Sequence, residues 1–361
     1  MGIYLFAFVY LLLFSALEMT RKRIKPEKAK TIAFIFGVVL LIYIAGFRYG
    51  LETDYWVYYR EFNGESTRKL EFSFNLLIQI VKLFTDNYNV FLIIFSVITL
   101  SLKSRIFSRY KFCFTVLLIY YVRFFVQFDL NTIRQGLAIA IVFYALEELK
   151  KDKLKPFFII IVITATIHTS VLILLILPLF RKMNLSMTKI IIGFGLAALF
   201  RIVFLDKIIL LFKQYLPFIF SSNSSVISNL QYILNNDTSI QFELLSYIRI
   251  IVPTICLFYL TKGTKNELYF KTYFIGSVLN IALFGLDTVG FRLAAYFMSA
   301  EVLIMGDIYN NVVSSSINDT RIDLKKIIAF SAIVFCDMWT FFSLLGSSET
   351  LVPFRTFFEQ L

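Results

Sequence analysis

The sequence predicts an all-α polytopic membrane protein with a single integral membrane domain over residues 1–361. Hydrophobic residues make up 58% of the chain and charged residues only 17%. The mean hydropathy of +0.76 exceeds what a soluble core with a wetted surface requires. The 42 Phe and 20 Tyr residues suit lipid-facing surfaces and interfacial belts. The net charge of +12 lies mostly in short loops between apolar runs, where it fixes orientation and does not indicate nucleic-acid binding.

Cysteine and histidine usage excludes two kinds of site. Cys113, Cys256 and Cys336 all lie in apolar runs without metal-like spacing, so we predict small buried residues rather than a disulfide framework. His168 is the one histidine of the chain, which excludes a His-ligated metal cluster. We expect no cofactor.

Apolar runs alternate with basic loops along the first part of the chain. Residues 2–17 are apolar and are followed by the basic segment 21–30, which predicts a retained first helix with its N-terminus outside. The next predicted crossings are 31–47 outward, 88–102 inward, 112–128 outward, and an inward helix capped by Asn131 or Thr132 that ends at the basic segment 147–155. The long outer segment 48–88 contains apolar residues at helical spacing over 70–84, which predicts an amphipathic helix in the interface.

The segment 156–180 admits two interpretations. It contains 24 uncharged residues from Phe157 onward, enough for one crossing of ~20 residues. Both of its flanks are basic, however, which favours two short half-helices that meet near His168 at an outward-facing, re-entrant apex. Both interpretations give the same orientation downstream.

Further crossings are predicted in the second half. The first is 190–205, followed by 207–220 as a short span or amphipathic helix within an outer segment 207–241. The chain then crosses inward at 242–260 and outward at 272–286, makes a tight outer turn at 287–292, and returns inward at 293–305. A cytoplasmic segment 306–326 leads to the last crossing, 327–345, which runs outward to an outside C-terminus. The total is about 11–13 transmembrane or half-spanning helices.

This topology brings ionisable residues to the outer face from distant parts of the chain. The residues at the outer face are Arg48, Asp54, Arg134 and Arg292, together with His168 if the segment 156–180 forms two half-helices. The positive-inside rule does not require arginines on this side. Ionisable residues that border the membrane and face the bundle interior are costly and usually mark a functional site.

Four short motifs, in this order, resemble the EpsG family. They are F-R-Y-G-x-x-x-D-Y-x-x-Y at 47–58, N-x-x-R-Q-G-L-A at 131–138, A-x-x-H-x-S at 165–170, and the arginine of G-F-R-L at 290–293. That family belongs to the Wzy-like polymerases of bacterial O-antigen and exopolysaccharide. The chain departs from the broader polymerase pattern because no large outer domain is evident, which leaves acceptor binding without an assigned region.

The resemblance implies a GT-C-like glycosyltransferase in the bacterial inner membrane with an extracytoplasmic active face. Its substrate would be an undecaprenyl-diphosphate-linked oligosaccharide within the lipid bilayer, and its partners would include a chain-length regulator and a flippase. Such a reaction needs donors for the leaving diphosphate and a base for the acceptor hydroxyl. The predicted catalytic residues are Arg48, Arg134 and Arg292 as donors, with Asp54 or His168 as base. The predicted substrate-binding residues are Tyr49, Gly50, Tyr55, Tyr58, Asn131, Gln135, Ser170 and Arg249. Tyr49, Tyr55, Trp56, Tyr58 and Tyr59 could stack on sugars.

Structural explanations compete with these roles. Arg48 could anchor the chain at lipid headgroups, Arg134 could pair with Asp129, and Asp54 could neutralise Arg48. His168 could be a hydrogen-bonded core residue, and the aromatic cluster could be an interfacial belt.

Two other functions remain open. A flippase or transporter would also need cations for the diphosphate, but would place them along a path near the midplane between related halves. An O-antigen-type ligase would share the arginine chemistry and differ only in its acceptor.

Overall fold

The computed structural model describes residues 1–19, 27–51, 53–66, 70–205, 207, 211, 244–284, 286–308, 324–347 and 351–360. These residues are mostly helical, and their one extended pairing is an isolated bridge between Arg48 and Thr356. Five of the described helices are long and apolar enough to cross a membrane, and shorter apolar helices accompany them. The predicted all-α polytopic fold is confirmed.

The first seven α-helices are α1 (Gly2–Met19), α2 (Glu27–Gly46), α3 (Thr53–Asn63), α4 (Phe72–Lys82), α5 (Tyr88–Phe107), α6 (Cys113–Tyr120) and α7 (Ile133–Lys150). Tyr121–Asn131 continues α6 as a π-helix. The following elements are α8 (Leu154–Ala165), a 3-10 helix (Thr169–Ile176), α9 (Leu177–Phe180), α10 (Met187–Leu199) with a π-helical end (Phe200–Leu205), α11 (Leu244–Thr261), α12 (Glu267–Ala282), α13 (Asp287–Met298), helical residues 300–308, and α14 (Leu324–Ser347).

The α6 helix and its π-helical continuation form the centre of the bundle. The most apolar stretch within Cys113–Asn131 is 89% buried, against 28% to 50% for the other four candidate spans. Those four helices therefore leave much of their surface for lipid, where apolar side chains need no protein partner.

Residues 154–180 form a re-entrant hairpin. The α8 helix has 12 residues and the 3-10 helix that follows has 8, so each is too short for a crossing of ~20 residues. Arg181 Nη1 lies 3.1 Å from Asp152 Oδ1, which brings the two ends of the hairpin together and leaves His168 at its apex. Two half-helices are thus confirmed, and the single-span interpretation is wrong.

The segment 48–88, predicted to lie on the outer side, contains the two helices α3 and α4, and only α4 was predicted from the sequence. On α4, Phe74, Ile78 and Val81 are buried while Phe72 and Ile80 are exposed, as expected for a helix that lies on the bundle. Buried aromatic and aliphatic side chains of α3, α4, α5 and the start of α7 form a second, smaller core. This core holds α3 and α4 against the bundle.

One local prediction is wrong. Residues 287–292 are not a tight turn, because they form the first turns of α13. Thr132 occupies the predicted N-cap position of α7, which places Arg134 in the first turn, but its hydroxyl donates to the Gln127 carbonyl at 3.0 Å and makes no cap hydrogen bond. Almost all of the predicted outer segment 207–241, and residues 309–323 of the predicted cytoplasmic segment, lie outside the described residues.

Candidate functional site

Asp54 and Arg292 form an ion pair across 238 positions of sequence. Arg292 Nη2 lies 3.2 Å from Asp54 Oδ2, and both side chains are partly exposed. The Asp54 backbone N–H donates to Asn131 Oδ1 at 3.3 Å, and Gln135 Nε2 donates to the Arg292 carbonyl. The start of α3, the end of the π-helix, α7 and α13 therefore meet at this pair.

Arg134 lies in the first turn of α7 and is held by Glu71. Its Nη1 is 2.6 Å from Glu71 Oε2, and its guanidinium carbon is 5.5 Å from the centre of the Tyr58 ring. Asp129 pairs instead with Lys103 at 2.7 Å, so Arg134 is not the counter-ion of Asp129. Burial raises the pKa of the Tyr58 phenol, and the positive charge of Arg134 opposes that rise.

His168 is oriented by two hydroxyl groups. Its Nδ1 lies 2.7 Å from Ser170 Oγ and 2.8 Å from the Tyr296 hydroxyl. Tyr296 and Arg292 are four residues apart on α13 and therefore share one helix face. The hairpin apex is also fixed to α4, because Ser73 N–H donates to the Thr166 carbonyl at 2.9 Å.

The remaining imidazole nitrogen of His168 is available to a ligand. Within the described part of the chain, no residue forms a hydrogen bond with Nε2. His168 lies in the loop between the two half-helices, where burial, together with the charges of Arg134 and Arg292, lowers the pKa of the imidazole to about 4. The ring is therefore neutral at pH 7, and a neutral imidazole can accept a proton at Nε2 when Nδ1 carries the other.

Both site arginines retain unused donors. The Nε atoms of Arg134 and Arg292 are buried, and neither has a hydrogen-bond partner among the described residues. An unsatisfied buried N–H costs free energy, so the binding of a ligand that accepts these hydrogen bonds would be favoured. The N-terminal ends of α7 and α13 lie beside the same residues, and their partial positive charge favours an anion.

Arg48 is not part of this group. Its side chain is fully buried, and its Nη1 donates to the Ala45 carbonyl. No hydrogen bond or ion pair connects Arg48 to Asp54 in the described chain, where Asp54 pairs with Arg292 instead. The role of Arg48 as a phosphate contact stays a prediction, and a substrate would need a rearrangement to reach it.

Other predicted binding residues occupy two separate cavities. Arg249 has its guanidinium 4.6 Å from the Trp339 ring and lines a cavity of about 380 Å³ together with Arg123. Tyr49 and Tyr55 line an aromatic cleft of about 330 Å³. Gly50 adopts φ +60 between them, a left-handed conformation that favours glycine.

Glu71 and Tyr296 are members of the site that sequence reasoning missed as functional residues. Glu71 lies between the apolar positions of the predicted amphipathic segment 70–84, and Tyr296 lies in an apolar run. A helix that began at Asp287 would have placed Tyr296 on the same face as Arg292, since the two are four residues apart.

Comparisons with known proteins give one match. Residues 31–356 match the model of the EpsG family. No curated protein matches the chain, and no solved structure does.

Proposed function

This chain belongs to the EpsG family, whose model covers residues 31–356, and we propose that it joins lipid-linked oligosaccharide repeats into a polysaccharide. Membership of the family supports the general role of polysaccharide polymerase. The proposal extends it to a glycosyltransferase that acts on undecaprenyl-diphosphate-linked repeats at the outer face of a bacterial inner membrane. The end of the bundle that carries His168 would face outward, because the opposite end carries the basic segments 103–111 and 147–155.

The observation that carries the proposal is the pair of arginines with unused, buried Nε donors. In the reaction, an acceptor sugar hydroxyl attacks the anomeric carbon and the carbon–oxygen bond to the lipid diphosphate breaks. The leaving diphosphate takes the bonding electrons and its charge increases. Arg134 and Arg292 supply directed N–H donors for that charge, which stabilises the transition state most in a partly dry site.

The proton of the acceptor hydroxyl needs a base. His168 Nε2 and the Asp54 carboxylate are the two candidates. We favour His168, because Asp54 is engaged with Arg292 whereas Nε2 has no partner in the described chain. Glu71, Ser170 and Tyr296 then act as positioning residues that hold Arg134 and His168 in place. Asn131 and Gln135 support the Asp54–Arg292 pair from the π-helix and α7.

The test is chain growth by the purified protein in detergent. Without a membrane, moving the substrate from one side to the other cannot be the activity that is measured. The protein receives the lipid-linked repeat of its own host, in parallel reactions with and without an added non-identical acceptor, and the products are separated by size. We expect a ladder of lipid-linked oligomers that lengthens with time. A repeat that stays unchanged would contradict the proposal and favour a flippase, and transfer only to an added non-identical acceptor would contradict it in favour of a ligase.

A further inference from the structure

An aromatic cleft lies beside the proposed catalytic group but does not include it. The cleft has a volume of about 330 Å³, within the roughly 300–1,000 Å³ range of small-molecule sites. Its lining consists of aromatic rings and short polar side chains, namely Tyr49, Tyr55, Trp56, Tyr59, Asn63, Asp86, Asn87, Tyr88 and Asn89. It is therefore neither an apolar groove nor a charged patch.

The rings of the cleft are fixed by edge-to-face contacts. The Tyr55 ring lies 5.1 Å from the Trp56 ring and 5.4 Å from the Tyr88 ring, both near perpendicular. Tyr55 and Tyr88 are buried, whereas Trp56 is 43% exposed. The buried rings form a rigid floor, and Trp56 presents its ring at the rim.

Hydrogen-bonding groups alternate with these rings. Tyr55 donates its hydroxyl to Asn89 Oδ1 at 3.4 Å, and this bond does not use the amide N–H donors of Asn89. The side chains of Asn63 and Asp86 form no hydrogen bond or ion pair within the described part of the chain. Flat apolar rings and unengaged amide and carboxylate groups match the apolar faces and hydroxyl edges of a sugar.

The charge of the lining argues against a lipid headgroup. Asp86 is the one charged residue among the described residues that line the cleft. A negative carboxylate disfavours a phosphate, whereas it accepts hydrogen bonds from hydroxyl groups. An aromatic belt at the membrane interface would not require the amide and carboxylate side chains that line this cleft.

The position of the cleft connects it to the reaction. Asp54 and Tyr55 are neighbours on α3, so one face of this short helix carries the Asp54–Arg292 pair while the adjoining face forms the cleft floor. We propose that the cleft is a subsite for the neutral glycan of the growing chain, which it holds beside the reacting sugar. This assignment rests on the proposed function for its place in the reaction, but binding of the glycan does not require catalysis.

The test is calorimetric binding of diphosphate-free oligosaccharides to the purified full chain. The probe is prepared by partial hydrolysis of the host's own surface polysaccharide. Trp56→Ala and Asp86→Ala remove exposed cleft groups, and Phe84→Ala removes an aromatic residue that is 85% exposed outside the cleft. We expect each cleft variant to weaken binding by about tenfold and Phe84→Ala to leave it unchanged.

The outcomes separate this inference from the proposed function. Binding that depends on Trp56 and Asp86 supports the subsite even if the protein fails to extend the lipid-linked repeat. The subsite is overturned if the oligosaccharide does not bind the wild type, or binds both cleft variants as tightly as the wild type. Equal weakening by Phe84→Ala would also overturn it, because an interfacial belt would then explain the result.

Discussion

Each site arginine is held by one carboxylate, and this pairing determines what the site can bind. Glu71 takes one nitrogen of Arg134, and Asp54 takes one nitrogen of Arg292. A guanidinium has five N–H donors in a fixed fork, so each arginine keeps donors for a phosphate oxygen. The carboxylates reduce the cost of holding the two cations together before a substrate arrives.

His168 gives a prediction about pH. Because the imidazole has a pKa of about 4 in the free enzyme, its neutral, proton-accepting form persists down to that pH and is lost below it. We expect the acid limb of kcat/KM near pH 4 rather than near the ordinary value of 6.5. We also expect His168→Gln to lower kcat about 100-fold, since general base catalysis contributes at least that much.

Thr169→Ala is the matched control for His168→Gln, because the side chain of this exposed neighbour forms no hydrogen bond or ion pair in the described chain. Its rate should equal that of the wild type. A His168→Gln variant with normal kcat would assign the proton transfer to another group, with Asp54 the next candidate. An acid limb near pH 6.5 would instead contradict the lowered pKa of His168.

Gly136 shows how one residue sets the contact between two elements. It lies one turn into α7, and a Cβ at this position would collide with the Phe128 carbonyl oxygen of the π-helix. Backbone oxygen cannot move aside as a flexible side chain can. Close packing of α7 on the π-helix therefore requires glycine, and this packing places Asn131, Arg134 and Gln135 at the site.

We predict that Gly136→Ala destabilises the protein by about 1–3 kcal/mol, the usual cost of overpacking. Thermal unfolding in detergent measures the change. Gly195→Ala is the control, because a Cβ there meets no atom within 4 Å. An unchanged unfolding temperature for Gly136→Ala would contradict the close approach of the two elements.

Among the elements, periodicity and charge predicted α1 and α5 to the first residue, but missed the start of α13 and the presence of α3. Apolar length and basic flanks indicated α2, α5 and the hairpin around His168, because these features depend on local composition. The segment 287–292 looks like a turn because Asp, Thr and Gly are frequent in turns, yet tertiary packing extends α13 through it. The α3 helix was missed because its dense aromatic and polar residues lack one apolar stripe.

At the scale of the whole molecule, topology places the candidate site at one end of the bundle. Sidedness stays a prediction from the basic loops, which the positive-inside rule places in the cytoplasm. Partners could not be deduced, because contacts between Asp54 and Arg292, or between Glu71 and Arg134, join helices that are distant in sequence. Arg48 illustrates the limit, because its motif predicted a site residue while packing buries its side chain completely.

In the proposed reaction, Arg134 and Arg292 stabilise the leaving lipid diphosphate. The rate of chain growth by purified Arg134→Ala and Arg292→Ala in detergent, compared with Arg105→Ala at the basic end, tests this role directly. We expect each site variant to lower kcat about 100-fold or more, as loss of one transition-state donor does in other enzymes, and Arg105→Ala to match the wild type. Normal kcat in both folded site variants would show that these arginines do not stabilise the leaving group.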